Sequence, residues 1–169
     1  LMPTNFNNID IGQINIEKVR NYYSISYKGN PILINTPVLV LPFGLEKEYS
    51  NYILKLQLRN IKENKDISDL YNFFVNLEDT IQDYFSNHNG IFKSQLRLHA
   101  KYDPLLMTKI PQANEKFLCE YTDTNKNPLN IFNIEKGEKV VANLLIDSIW
   151  IYKNTISYKV KVKKIVCVK

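Results

Sequence analysis

Lysine recurs at every second position near the carboxyl end of this chain. From Ile156 the sequence reads I-S-Y-K-V-K-V-K-K, and residues 148–169 contain six lysines and no acidic residue. Because successive side chains of a strand point to opposite faces, Lys159, Lys161 and Lys163 are expected to form one row, with apolar side chains behind them. Such a row of ammonium groups without neighbouring carboxylates attracts a polyanion, such as the phosphate backbone of a nucleic acid.

Two earlier segments also combine cations with aromatic side chains. Residues 19–28 and 52–59 alternate between apolar and polar positions, which predicts two half-buried strands. Single-stranded nucleic acids bind to such surfaces, because cations neutralise phosphates while exposed rings stack on bases at about 1–3 kcal/mol per base. The candidates on the polar faces of these two strands are Arg20, Tyr22, Lys28, Lys55 and Arg59.

Each of these features also has an interpretation without a ligand. Lysine on a solvent-facing strand protects sheet edges from aggregation. Most of the eleven tyrosines and eight phenylalanines are expected in the core. Trp150 and Tyr152 share one face of a predicted strand and Ile149 and Ile151 share the other, so at least one of these pairs must be buried.

The sequence lacks the residue patterns of common catalytic sites. His88 and His99 have no cysteine or second histidine at the spacing of a zinc site. Its five glycines are isolated, so no phosphate-binding loop is present. Glu63-Asn64-Lys65 is an E-x-K triplet of the sort found in metal-dependent nucleases, but so short a motif often matches by chance. We therefore expect no enzyme activity, no metal site and no cofactor. A nuclease using Glu63 or carboxylates of the helix is an alternative.

Length and composition indicate one folded domain. The chain has 169 residues, of which 44% are hydrophobic and 12% aromatic, and this is enough for a single core. The net charge of +5 comes from residues 101–169, which contain twelve lysines and seven acidic residues. No apolar run is long enough to span a bilayer, and the two cysteines lack a C-x-x-C spacing. These features predict an intracellular protein without a membrane segment.

The periodicity predicts three strands, one helix and about four further strands. The predicted strands cover residues 19–28, 32–41, 52–59, 105–110, 116–121, 140–152 and 156–168. This order is compatible with a mainly β fold, an OB-like Greek-key barrel with one α-helix after the third strand. A β-sandwich with one helix is the alternative, and periodicity does not distinguish the two. We expect residues 17–169 to form this single nucleic-acid-binding domain after a flexible arm at residues 1–16.

The helix is predicted within residues 66–87, where apolar side chains recur at a period near 3.6. Asp66 or Ser68 is the expected N-cap. Glu78, Asp79 and Asp83 are expected on the outward face of this helix. An acidic face of this kind would face water or a protein rather than a nucleic acid.

Several segments resemble a known family. The segments are T-P-V-L-V-L-P-F-G-L at 36–45, Y-D-P-L-L-M-T-K-I-P at 102–111, K-F-L-C-E-Y-T-D at 116–123, K-G-E-K-V-V-A-N-L at 136–144 and S-I-W-I-Y at 148–152. Together they resemble the single-stranded DNA-binding replication proteins of large DNA viruses and related virus-like elements. That family shares an OB-fold plan with some phage proteins.

The resemblance implies cooperative coating of single-stranded DNA during replication, without catalysis or cofactor. The implied partners are single-stranded DNA, other replication proteins and further copies of the chain in a homo-oligomer or filament, with no membrane. The implied location is the site of viral or plasmid DNA replication, in the host cytoplasm or a virus factory. Family motif positions that bind DNA or support the binding face would be Phe43, Lys109, Trp150 and Lys161. The combined nucleic-acid-binding candidates are Arg20, Tyr22, Lys28, Lys55, Arg59, Lys109, Trp150, Tyr152, Lys159, Lys161 and Lys163.

A viral structural or assembly protein is the alternative function. In that case the lysine strand would be a solvated edge or a basic protein-interaction surface. Salt-dependent binding to single-stranded DNA distinguishes the two functions, because only the first requires phosphate contacts.

Overall fold

Strands dominate residues 2–168, which are the residues that this computed structural model describes. The strands before the helix are β1 (Ile14–Val19), β2 (Tyr22–Tyr27), β3 (Ile32–Asn35), β4 (Leu39–Leu41), β5 (Leu45–Glu48) and β6 (Asn51–Gln57). Helix α1 spans Lys65–Tyr84, and short 3-10 helices lie at Phe6–Asn8, Ile11–Gln13 and Ile131–Asn133. The strands after the helix are β7 (Ile91–Lys93), β8 (Leu96–Arg97), β9 (Leu105–Ile110), β10 (Gln112–Ala113), β11 (Lys116–Phe117), β12 (Glu120–Asp123), β13 (Glu138–Ile146), β14 (Ser148–Tyr152), β15 (Thr155–Tyr158) and β16 (Lys161–Val168).

Five strands of the larger, nine-stranded sheet close into a ring. Strand β16 pairs with β13, β13 with β4, β4 with β6, β6 with β9, and β9 returns to β16. The closing pair is parallel and joins Lys161 to Lys109, and the Lys109 N–H donates to the Val160 carbonyl at 2.9 Å. Leu54 and Leu106 are fully buried inside the ring's core cluster. A ring of five strands is the OB arrangement, so the predicted mainly β, OB-like barrel is confirmed.

The second sheet has the order β1-β2-β14-β15-β7. Strands β15 and β16 follow each other in the chain but belong to different sheets, so the predicted single strand 156–168 is wrong. The chain leaves the second sheet after Tyr158 and enters the barrel at Lys161. The side chain of Gln95 fixes this crossing, because its Nε2 donates to the Tyr158 carbonyl at 2.8 Å.

The first predicted strand is also divided. Residues 19–28 contain a turn at Arg20, whose φ is 50°, and the chain on either side forms the antiparallel hairpin of β1 and β2. In the amino-terminal segment Phe6 and Ile9 are buried, and the Phe6 ring lies 6.1 Å from that of Phe73 on α1. The mobility of residues 1–16 stays a prediction, and residues 1 and 169 lie outside the described part of the chain.

Helix α1 follows β6, the third predicted strand, as expected. It begins earlier than expected, because the N-cap is Asn64, two residues before Asp66 and four before Ser68. The Asn64 side chain accepts a hydrogen bond from the Ile67 N–H at 3.2 Å. Lys65 and Asp69, four residues apart, form an ion pair of 2.7 Å on the first turns. No helix in residues 2–168 combines the length and the apolar composition that crossing a membrane requires.

Glu78 is not on the outward face of α1, in contrast to the prediction. Its exposed fraction is 6%, because its position along the helix falls within the apolar stripe that covers the barrel. The Glu78 carboxylate accepts hydrogen bonds from the Ser94 and Tyr158 hydroxyls and, at 2.9 Å, from the Gln95 N–H. Burial and the neighbouring Glu78 carboxylate raise the pKa of Tyr158 well above its usual value. The buried Glu78 carboxylate therefore joins the helix to Tyr158, where the chain crossing begins, and to Ser94 and Gln95, which precede β8.

Replacing this carboxylate should destabilise the fold. The Glu78→Gln variant puts an amide N–H₂ among three donors, and we expect the free energy of unfolding to fall by about 2 kcal/mol. Asp79→Asn is the matched control, since Asp79 is exposed on the same helix, and its effect should stay within about 0.5 kcal/mol. Urea denaturation measures both variants, and equal midpoints would contradict a structural role for Glu78.

Candidate nucleic-acid interface

A groove of about 280 Å³ lies where the two sheets meet. Four cationic side chains from different segments line it, and we call it the basic groove: Lys93, Arg97, Lys109 and Lys159. Glu48 is the one carboxylate among its described lining residues. A concave surface lined by one sign of charge concentrates the potential and attracts the opposite charge.

Backbone pairing holds the cations of the basic groove in place. Lys93 on β7 pairs with Ser157 on β15, and Lys109 on β9 pairs with Lys161 at the closing point of the barrel. Arg97 on β8 donates from Nη1 to the Ser94 carbonyl at 2.7 Å. Paired strands of both sheets therefore carry three of the four cations, and Lys159 lies in the crossing between β15 and β16.

The surroundings of Lys109 disfavour its charged form. Partial burial lowers the pKa of Lys109, and the neighbouring ammonium groups of Lys159 and Lys161 lower it further. Lowering of a lysine pKa means that the charged form is disfavoured where it stands. An anion bound in the groove would relieve this repulsion, so the charges of the groove favour the binding of an anion such as a phosphate.

An aromatic pair lies next to the groove on the second sheet. The rings of Tyr22 and Trp150 stack with centroids 5.0 Å apart and planes 21° apart. Trp150 Nε1 donates to the Ser148 hydroxyl at 3.1 Å, and the Lys159 Nζ lies 5.5 Å from the Trp150 ring centroid. We call the stacked pair of Tyr22 and Trp150 the aromatic platform. Lys159 contacts this platform and also lines the basic groove.

The predicted lysine row does not form a single surface. Lys161 is paired with Asp147 at 3.1 Å, and Lys163 lines a different cavity together with Glu120. Two features break the row: the chain changes sheet between Tyr158 and Lys161, and the pairing of β16 with β13 shifts register beside Lys163. Only Lys159 of the row enters the basic groove.

The other predicted residues lie at several places. Arg20 and Lys28 are exposed turn residues at opposite ends of β2, and Tyr152 is 72% exposed at the end of β14. Lys55 forms an ion pair of 3.2 Å with Glu46, and Arg59 donates from Nε to the Gln57 side chain at 3.1 Å. The structure thus brings together one subset of the candidates, namely Tyr22, Lys109, Trp150, Lys159 and, beside them, Lys161.

Sequence reasoning missed Lys93 and Arg97. A signal for them exists, because residues 84–102 contain Lys93, Arg97 and Lys101 and no acidic residue. It also missed Tyr49, which is 92% exposed at the tip of the β5–β6 hairpin, has a φ of 56° and lines the mouth of the groove. An aromatic residue with positive φ at an exposed tip is uncommon.

The E-x-K triplet has a structural role at the start of α1. Glu63 is exposed in the preceding turn, Asn64 is the N-cap, and Lys65 is paired with Asp69. In residues 2–168 no group of three or more His, Cys, Asp or Glu side chains is arranged to hold a metal ion.

Comparison with known proteins identifies the fold. No protein-family model and no curated protein sequence matches the chain. The structure is similar to gp2.5, a single-stranded DNA-binding protein encoded by bacteriophage T7, with a TM-score of 0.50, 7% identity, and coverage of 82% of this chain and 87% of that chain.

It is also similar to the single-stranded DNA-binding protein from bacteriophage Enc34. A C-terminal truncation of that protein gives a TM-score of 0.52 at 12% identity, with 94% of each chain covered. Its complex with single-stranded DNA gives a TM-score of 0.50 at 12% identity, covering 89% of this chain and 92% of that chain. The chain shares its fold with these phage proteins.

Neutralising Lys109 should stabilise the protein. The ordinary pKa of lysine is 10.5 and the fold lowers that of Lys109, so the charged side chain opposes folding fully at neutral pH. This cost is relieved as the pH rises through the lowered pKa, because the unfolded chain then binds more protons. We expect Lys109→Met to unfold at a higher urea concentration at pH 7, with a smaller gain at pH 9.5.

Lys101→Met is the matched control, because Lys101 is exposed and does not line the groove. Its urea midpoint should equal that of the unmodified chain at both pH values. A lower midpoint for Lys109→Met at pH 7 would show that the ammonium group stabilises the fold and that the groove is not strained by like charges.

Proposed function

We propose that this protein binds single-stranded DNA with little sequence preference and without catalysis, as a component of DNA replication in a virus-infected or plasmid-bearing cell. The observation that carries the proposal is the basic groove beside the aromatic platform on an OB-like barrel. The similar phage structures support it, since each is described as a single-stranded DNA-binding protein and one contains single-stranded DNA. Cooperative coating by further copies and recruitment of replication proteins are part of the proposal through the family resemblance.

In this proposal, phosphates bind in the basic groove and bases stack beside it. Lys109 and Lys159 hold phosphates at the centre of the groove, with Lys93 and Arg97 on its other walls. Each ammonium group that meets a phosphate releases condensed counterions, which favours binding at low salt. Sequence preference is weak because phosphate contacts carry no sequence information and every base has a face that can stack.

Lys159 links the phosphate contacts in the basic groove to the base stacking on the aromatic platform. Trp150 lies on β14 between β2, which carries Tyr22, and β15, which leads to Lys159. In the free chain the Lys159 ammonium covers the Trp150 ring at 5.5 Å. A phosphate in the groove would draw this ammonium from the ring, and the ring face would become available to a base. Unpaired bases expose such faces and paired bases do not, so this contact favours single strands.

The salt dependence of binding tests the phosphate contacts. Four groove cations at a log–log slope of about −0.7 per contact give a slope of about −3 for single strands. Titration with oligo-dT at several salt concentrations, followed by the fluorescence of the lone tryptophan Trp150, measures this slope. Binding to a duplex of the same length should be much weaker. Equal affinity for duplex would contradict the proposal, and magnesium-dependent cleavage of the DNA would contradict the absence of catalysis.

Two lysines of the broken row provide a matched pair of variants. Lys159→Glu should lower the affinity for oligo-dT at least tenfold and make the salt slope shallower by about 1, because it removes a phosphate contact and adds a repulsive charge. Lys163→Glu is the same substitution outside the basic groove, and its effect on affinity should be less than threefold. Equal losses in the two variants would show that the groove is not the binding site.

A further inference from the structure

A second and larger cavity, of about 580 Å³, adjoins the basic groove. Its lining is mainly apolar and includes three exposed side chains: Phe43 is 45% exposed, Tyr102 67% and Leu98 68%. Exposed apolar side chains gathered in one cavity mark a binding site more often than scattered ones do. We call this cavity the apolar bowl.

The apolar bowl and the basic groove share one lining residue, Arg97. Its neighbour across the β8–β9 pairing, Leu105, lies in the bowl. Leu105 and Lys109 lie four residues apart on β9, which corresponds to about 13 Å along a strand. This distance corresponds to about four stacked nucleotides at about 3.4 Å each. A strand that fills the groove can therefore reach the bowl.

The chemistry of the bowl fits nucleobases. The His99 and Tyr102 rings lie 4.8 Å apart, and Arg59 and Arg97 also line the bowl. Rings and guanidinium planes both stack on bases, and the cations also meet the phosphates between them. Asp103 is the one carboxylate among the described lining residues, and it accepts a hydrogen bond from the Asn60 N–H at 3.0 Å.

We propose that the apolar bowl binds bases of the same DNA strand whose phosphates occupy the basic groove. This inference rests on the proposed function and extends it, because it assigns a second base site about 13 Å along β9 from Lys109. Charge favours this occupant over an apolar peptide, since two arginines flank the bowl and one of them also faces the groove. The bound length of DNA is then set by two sites, the aromatic platform with its groove and the bowl.

Oligonucleotides of graded length test the bowl separately from the groove. For the unmodified chain, affinity should rise by a distinct step between dT4 and dT12 as the strand reaches the bowl. Tyr102→Ala should lower the affinity for dT12 about tenfold and leave that for dT4 unchanged, which is a loss of about 1.4 kcal/mol at the longer length only. Tyr102→Phe, which keeps the ring, should retain the affinity for dT12.

Phe132→Ala is the matched control, because Phe132 is an aromatic side chain of similar exposure, 59%, outside both cavities. Its affinity for both lengths should be unchanged. Urea midpoints of all variants show whether each is folded.

The outcomes separate the two proposals. If the unmodified chain binds no oligonucleotide of any length, the proposed function is wrong. If it binds and Tyr102→Ala matches it at both lengths, the bowl has another occupant, such as an apolar protein segment, and this inference is overturned. Equal losses at dT4 and dT12 would also overturn it, because the bowl would then not be an extension of the groove.

Discussion

The closure of the barrel between β9 and β16 is the constraint on which the proposed binding surface depends. These two strands are far apart in the chain, and their parallel pairing sets Lys109 beside Lys161. The same closure brings the second sheet against the barrel, because the chain passes from β15 to β16 at this point. Like charges are thereby held together at a partly buried position, where they oppose folding and favour an anion. In the proposed function, this surface exchanges some stability for binding.

A buried carboxylate supports this closure from the opposite side. Glu78 is a charged side chain in the core. Three hydrogen-bond donors replace the water that its carboxylate loses on burial. Two of the donors lie in the segment that precedes β8, and the third is Tyr158 at the end of β15. The helix supplies none of the described lining residues of the groove, but its Glu78 binds Gln95 and Tyr158, which do line it, and so helps to set their position.

The proposed binding surface is assembled from many short elements rather than from one strand. The basic groove takes one cation each from β7, β8 and β9 and one from the crossing after β15, while the aromatic platform takes its rings from β2 and β14. The similar phage structures share this fold at 7–12% identity, so the arrangement of strands persists where sequence similarity does not.

Alternation and helical period, read from the sequence by themselves, determined the strands β6 and β9, the helix and the mainly β class, because these patterns are local. The outward face of Tyr22 follows from the same alternation, which puts Trp150 and Ile149 on opposite faces without deciding which of them is buried. Tertiary structure alone decided which donors meet the Glu78 carboxylate, that Lys159 is separated from Lys163, and that Lys93 and Arg97 join Lys109. Lys109 and Lys161 are 52 residues apart in the chain, and no local pattern specifies which distant strands pair. Periodicity gives each strand an inner and an outer face, but the pairing that closes the barrel decides which outer faces meet.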